Sequence, residues 1–122
     1  MPRYEVVFYK DILGRNPVEL WVDGIREAKN QGSKQARVHY NAIYHKIELL
    51  KIMGTLAGFE KITNFVWEFR AKDSRILYGE CGEYFVLLHY IEKKDYNKLR
   101  QNDIDLAQTR MVDWMDRNKE CS

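Results

Sequence analysis

The chain has 122 residues, of which 45% are hydrophobic and 31% are charged, and its formal net charge is +2. This length and composition predict one globular domain over residues 1–122 and exclude a disordered chain. The small net charge excludes a strongly basic, non-specific nucleic-acid binder, so an anion site would need a local cluster of cations. No apolar run approaches the ~20 residues needed to span a bilayer, so we expect no membrane partner.

The first half of the chain predicts a strand followed by two helices. Residues 3–9, RYEVVFY, are rich in β-branched and aromatic side chains, which favour a strand. Asn16 and Pro17 predict a helix start, because asparagine is a good N-cap and proline fits the first helical position. Ser33 predicts the start of a second helix, which ends at Gly54. The short link between the two helices predicts an antiparallel hairpin.

The second half predicts a meander of strands and a last helix. Residues 55–63 are expected to form a loop. Three strand-like runs follow, at 64–70, 75–80 and 84–91. Their connections, AKDS and CGE, are short, which predicts antiparallel pairing. A final helix is expected to begin at Asn102 or Asp103. The order β-αα-βββ-α predicts an α+β fold with a mostly antiparallel sheet, which the first strand joins.

Alternation in the first of these three runs assigns its side chains to two faces. Phe65, Trp67 and Phe69 recur with a period of two, which predicts that they face the core. Glu68 and Arg70 are then expected on the opposite face. The third run is apolar almost throughout, which predicts a central strand buried on both faces.

Four cations are predicted to lie together at one end of the sheet. The turn AKDS makes Arg70 and Arg75 cross-strand neighbours, and the third strand returns to this end before Lys93 and Lys94. Two adjacent guanidiniums need an acid or an anion between them, and Glu68 is the candidate acid. The alternative is a solvated, salt-bridged rim, because surface charges are common.

Aromatic and histidine side chains near this end have two interpretations each. Tyr78, Tyr90 and Tyr96 are candidates for stacking on nucleic-acid bases, although strand tyrosines also close the edge of a core. His89 lies late in a buried strand, where it is either a packed, hydrogen-bonded histidine or a reserve general acid or base.

No metal or cofactor site is predicted. His39 and His45 lie on one predicted helix but not on one face, and the chain has no phosphate-binding glycine loop. Cys81 and Cys121 lack Cys-x-x-Cys spacing, and we expect them to be reduced in a cytoplasmic protein. The N-terminal residues do not have the pattern of a signal peptide.

Three short motifs, taken together, carry a family resemblance. They are Glu68-Phe69-Arg70 at the end of one strand, Arg75-Ile76-Leu77-Tyr78 opening the next, and Lys93-Lys94 after the third. With the DIDLAQTR segment of the last helix, they resemble the RelE/ParE toxin superfamily, most closely its phage-associated HigB-like branch. The resemblance covers roughly residues 50 to 115.

This resemblance implies a RelE-like fold and the toxin of a type II toxin–antitoxin system. Such a toxin is a metal-independent endoribonuclease (an mRNA interferase) that cleaves mRNA, usually in the ribosome, through the RNA 2′-hydroxyl. Arg70 and Arg75 would clamp the phosphate, because a guanidinium fork can hold two of its oxygens. Lys93 or Lys94 would add charge or donate a proton, and Glu68 would orient Arg70 or act as a base.

The resemblance also implies partners and leaves alternatives open. The expected protein partner is a helix-turn-helix antitoxin, and the expected targets are mRNA and the ribosome. One alternative is a ParE-like inhibitor of DNA gyrase, which shares the fold but is not a nuclease. The other is an inactive, phage-derived regulatory protein whose hairpin arginines only pair with Glu68 and Asp73.

Overall fold

The computed structural model describes residues 3–92 and 99–118 of the chain. These residues contain three α-helices and a five-stranded mixed sheet. The helices are α1 (Pro17–Asn30), α2 (Lys34–Met53) and α3 (Gln101–Arg117). The strands are β1 (Glu5–Phe8), β2 (Glu60–Lys61), β3 (Trp67–Ala71), β4 (Ser74–Cys81) and β5 (Tyr84–Ile91). The α+β class and the predicted order of elements are confirmed.

The sheet has the strand order β1-β5-β4-β3-β2. Strands β3, β4 and β5 form the predicted antiparallel meander, and β1 joins the sheet parallel to β5. The predicted loop at residues 55–63 is wrong in part, because it contains a short 3-10 helix, Gly54–Ala57, and the edge strand β2. A two-residue strand is too short to show the alternation that predicts strands.

Helices cover both faces of the sheet. The hairpin of α1 and α2 packs on one face over a core that includes Val22, Ile43 and Phe69. Helix α3 packs on the other face over Leu77 and Val86. Strand β5 is therefore covered on both sides, as its apolar sequence predicted.

The two helices of the hairpin begin where the sequence predicts, but their first turns differ. The Ser33 hydroxyl accepts a hydrogen bond from the Ala36 N–H at 3.1 Å, which makes it a true N-cap. The Asn16 side chain makes no bond to the helix backbone and instead donates to the Glu19 carboxylate. Pro17 lacks an N–H, so this helix has one fewer orphan donor to satisfy.

The predicted core position of Phe65 is wrong. Its side chain is 49% exposed, and β3 begins only at Trp67. The backbone turns just before the strand, where the N–H groups of Ile62 and Thr63 both donate to the Val66 carbonyl. Phe65 lies inside this turn, so the two-residue period does not yet apply to it.

The expectation of two reduced cysteines is also wrong. Cys81, at the end of β4, is buried and disulfide-bonded. The chain's other cysteine is Cys121, which lies outside the described residues. Cys81 belongs to no recognisable cysteine motif, so its oxidation could not be predicted from the sequence.

The described residues include neither a membrane-spanning helix nor a cluster of metal-ligating side chains. Within residues 3–92 and 99–118, no helix is both long and apolar enough to cross a bilayer. The same residues contain no group of three or more histidine, cysteine, aspartate or glutamate side chains placed to hold a metal ion.

Candidate functional site

Arg70 and Arg75 lie directly opposite each other on paired strands. The register of β3 and β4 pairs Arg70 with Arg75 and Ala71 with Ser74, leaving Lys72 and Asp73 as the turn. Residues opposite each other in an antiparallel pair share a face of the sheet. The predicted cross-strand contact is thus confirmed, and both guanidiniums belong to the face that α3 covers.

Glu68 bridges the two arginines, as the sequence predicted. Arg70 Nε donates to Glu68 Oε1 and Arg75 Nη1 donates to Glu68 Oε2, both at 3.2 Å. Only 2% of Glu68 is exposed, so the carboxylate is out of water. A buried carboxylate needs such partners, because an isolated charge is very unfavourable in the interior.

The two guanidiniums differ in their access to solvent. The side chain of Arg70 is 50% exposed, whereas that of Arg75 is 9% exposed. With one carboxylate between two guanidiniums, the trio carries one net positive charge. Arg70 is therefore the member that can contact a ligand from solvent, and Arg75 completes the charge and holds the carboxylate.

A β-bulge in β5 brings His89 to the same face. Leu77 pairs with His89 and Tyr78 pairs with Leu87, so Leu88 is an extra residue without a partner opposite it. Leu88 lies on the face of the sheet that α3 covers, and His89 lies on the same face, where it contacts α3. Arg75 pairs with Ile91, which makes His89 its diagonal neighbour, within reach of long side chains. Bulges commonly re-aim a side chain beside an active site.

Asp103, in the first turn of α3, holds the imidazole of His89. The His89 Nε2 atom lies 2.8 Å from Asp103 Oδ1, and both side chains are mostly buried. An ionised carboxylate can only accept hydrogen bonds, so Nε2 carries the proton and donates it. In the neutral ring, Nδ1 is then the basic nitrogen. A histidine oriented in this way can accept a proton from a substrate hydroxyl.

Arg110 of α3 secures the bulge. Its Nη1 donates to the Leu88 carbonyl oxygen at 2.7 Å, where the extra residue interrupts the strand ladder. Burial lowers the pKa of the Arg110 guanidinium. Together with His89, Asp103 and Arg100, the Arg110 side chain lines a groove of about 440 Å³ beside the end of β5.

The sequence interpretation missed Asp103, Arg100 and Arg110 as site residues. The sequence predicts Asp103 only as a possible start of the last helix. A usable signal was present, because Asp103 and Arg110 flank the buried Ala107 at three/four spacing on one face of α3. Charged residues on the buried stripe of a helix are uncommon unless they are paired.

The base-stacking prediction for Tyr78 is wrong. Tyr78 is 3% exposed and lies in the core under α1 and α2, in contact with Phe59 and Phe69. Burial raises the pKa of its hydroxyl. Tyr90 also points towards α1, where its ring stacks on the Trp21 indole at a centroid distance of 4.4 Å. The bulge explains this, since it puts His89 and not Tyr90 on the arginine side.

Three further predicted site residues, Lys93, Lys94 and Tyr96, lie outside the described residues. Their convergence with Arg70 and Arg75 stays a prediction. The observed cluster on the α3 side consists of Glu68, Arg70, Arg75, His89, Asp103 and Arg110.

The chain matches no protein-family model and no curated protein sequence.

Proposed function

We propose that the protein is a metal-independent endoribonuclease, the toxin of a type II toxin–antitoxin system, that cleaves mRNA in the cytoplasm. The observation that carries the proposal is the Glu68 bridge between two arginines, with an oriented histidine as the diagonal neighbour of one of them. These groups supply the two things that RNA cleavage needs: positive charge for a phosphate and a base for a hydroxyl.

Cleavage of this kind uses the nucleophile of the substrate. The RNA 2′-hydroxyl attacks the adjacent phosphorus, and His89 Nδ1 takes the hydroxyl proton. The bond from phosphorus to the 5′-oxygen then breaks, and this oxygen receives a proton from Lys93 or Lys94. The products are a 2′,3′-cyclic phosphate and a free 5′-hydroxyl, with no bond formed to the protein.

The exposure of the two guanidiniums divides their roles. Arg70, half exposed, would hold the phosphate oxygens and stabilise the charge that develops on them. Arg75, almost buried, would hold Glu68 and thereby fix the orientation of Arg70. Asp103 would keep the His89 ring in the tautomer that leaves Nδ1 basic.

The test is cleavage of a synthetic mRNA fragment, and of mRNA on purified ribosomes, by purified variants. Arg70→Ala should lower the cleavage rate by about 100-fold or more, the usual effect of losing one donor to a developing charge. Arg70→Lys should recover only part of it, because lysine lacks the planar fork. Arg26→Ala, which breaks an exposed pair with Asp23 on α1, is the matched control and should cleave normally.

His89→Gln should be as inactive as Arg70→Ala while still folding. Wild-type rates in both Arg70→Ala and His89→Gln would show that this cluster is structural. In cells, induced expression should stop growth with loss of mRNA, and co-expression of a helix-turn-helix antitoxin should relieve the arrest. Arrest with DNA damage and intact mRNA would indicate gyrase inhibition instead.

A further inference from the structure

A second cavity opens at the same end of the sheet, on the opposite face. It has a volume of about 620 Å³ and lies between α1, α2 and the β3–β4 turn. Its apolar wall includes Trp21, Ile25 and Ala36, and its polar groups include His39, Lys72 and Asp73. Small-molecule sites commonly combine this size with an apolar lining and a few convergent polar groups.

The cavity adjoins the arginine cluster along the chain. Lys72 and Asp73 are the turn that joins the strands of Arg70 and Arg75. At about 3.3 Å per residue, Lys72 lies only about 7 Å along the backbone from Arg70. A chain molecule that is held at Arg70 can therefore pass over the end of the sheet and place its next group in this cavity.

The polar groups of the cavity have defined hydrogen-bonding roles. The Ser74 hydroxyl donates to the Ala71 carbonyl at 2.8 Å, so its oxygen accepts the proton of His39 Nε2, also 2.8 Å away. In the neutral ring, His39 Nδ1 is then an acceptor. Burial, with the nearby Lys72 ammonium, lowers the pKa of His39 and favours that neutral ring.

Lys72 occupies its position at a conformational cost. Its φ is +56°, the left-handed region that turn glycines and asparagines adopt with little strain. Among the described residues it is the only non-glycine with positive φ. The two-residue β3–β4 turn requires positive φ at its first central residue, so the turn fixes the backbone of Lys72 beside the cavity.

Trp21 forms a fixed wall of the cavity. One face of its indole stacks on Tyr90 at an interplanar angle of 4°, and its N–H donates to Glu92 Oε1 at 2.5 Å. A wall held at its face and its N–H loses little freedom when a flat ring binds beside it.

We infer that this cavity binds a guanine base of the RNA, next to the phosphate held at Arg70. Guanine presents adjacent N–H donors at N1 and N2 and an acceptor at O6. The Asp73 carboxylate can accept from the two donors, and the neighbouring Lys72 ammonium can donate to O6, a pairing that lysine commonly makes. The inference deepens the proposed function, since it assigns a base preference to the cleaved RNA.

Binding of mononucleotides tests this inference without any cleavage. GMP, IMP, AMP, CMP and UMP carry the same phosphate, so differences among them report the base. We expect GMP to shift the NMR signals of the Trp21 indole and His39 and to bind at least about tenfold more tightly than CMP or UMP. IMP, which lacks the 2-amino donor, should bind more weakly than GMP.

Asp73→Asn should remove most of the difference between GMP and IMP, because the amide lacks the negative charge and presents an N–H₂ group. Asp116→Asn, an exposed site on α3, loses the same charge and should keep the wild-type preference. Equal binding of all five nucleotides, or no shift at Trp21 and His39, would overturn the inference. A shift caused by an antitoxin but by no nucleotide would also overturn it and assign the cavity to a protein.

These outcomes are separable from those of the cleavage test. If the protein binds GMP at Trp21 but cleaves no RNA, the base site is supported and the nuclease proposal is wrong. If the protein cleaves RNA through Arg70 but shows no base preference in binding, the nuclease proposal is supported and the base site is wrong.

Discussion

Glu68 is the residue whose environment most constrains the site. Its carboxylate is almost fully buried between two guanidiniums that would otherwise stand side by side. We expect Glu68→Gln to lower the free energy of unfolding by about 3 kcal/mol, because removing one partner of a buried pair leaves the remaining charges uncompensated. Urea denaturation of the purified variant measures this loss.

Glu48→Gln is the matched control for this prediction. Glu48 forms an exposed pair with Lys51 on α2, at 3.2 Å, and such pairs contribute at most about 1 kcal/mol. If Glu68→Gln were no less stable than this control, the bridge would contribute no measurable stability.

His39 should make stability depend on pH. Burial is the main cause of its lowered pKa in the folded protein, whereas the unfolded side chain titrates near its ordinary value of about 6.5. Between the two pKa values the unfolded state holds more protons, so stability rises with pH. The contribution is complete above about pH 6.5 and is lost as the pH falls from there through the folded pKa.

His39→Gln should therefore flatten the plot of unfolding free energy against pH below about 6.5. His45→Gln changes an exposed histidine on the same helix and serves as the control. An unchanged slope in His39→Gln would show that another group is responsible for the acid sensitivity.

At the level of residues, only the local pairing could be predicted. Arg70 and Arg75 meet because a two-residue turn fixes the register of the strands beside it. The contact of His89 with Asp103 joins β5 to α3 across 14 positions and depends on an extra residue in a strand. Strict alternation in the sequence gives no sign of that extra residue.

Among the elements, α3 rests on β4 where a glycine leaves room for it. A Cβ added at Gly79 would overlap the side chain of Met111, whose Cγ would be 2.9 Å away. We expect Gly79→Ala to destabilise the protein by about 1–3 kcal/mol, the usual cost of overpacking a core. Thermal or urea unfolding measures the change.

Gly24→Ala provides the comparison. Gly24 lies within α1, and an added Cβ there meets no atom within 4 Å. Alanine restricts the unfolded chain and favours the helix, so this variant should gain about 0.5–1 kcal/mol. Equal effects of the two substitutions would contradict the close packing of α3 on β4.

The longer elements were predictable and the short ones were not. Periodic apolar positions and clear end signals identify α1, α2 and β5, the last with its observed bounds. The start of β3 was missed because the turn before it involves backbone hydrogen bonds that side-chain patterns do not reveal. Strand β2 is defined only by its pairing with β3.

For the whole molecule, the sheet order predicts which regions open last. Strands β4 and β5 lie inside the sheet with helices on both faces, whereas β2 is a two-residue edge. In hydrogen–deuterium exchange, we expect the slowest amides in β4 and β5 and fast exchange at Glu60–Lys61. Faster exchange in β5 than in β1, the other edge, would contradict this order.

The overall architecture followed from the order of elements and the rule that short connections join neighbours. What could not be predicted is which groups lie on each face of the sheet at the end near the β3–β4 turn. One face carries the arginine and histidine cluster, and the other carries the cavity beside Trp21. Both depend on packing between elements that are far apart in the sequence.

The bulge at Leu88 reverses the alternation of side-chain faces along β5. Before it, odd-numbered residues of β5 face α1 and α2, and after it even-numbered ones do, as Leu87 and Tyr90 show. If β5 kept all of its residues and paired without the bulge, His89 would face α1 and α2, and Tyr90 would face α3. Deleting Leu88 itself would leave both on their present faces, because His89 would then follow Leu87 directly. The faces of His89 and Tyr90 are thus set by the pairing of β5 with β4 as much as by the residues themselves.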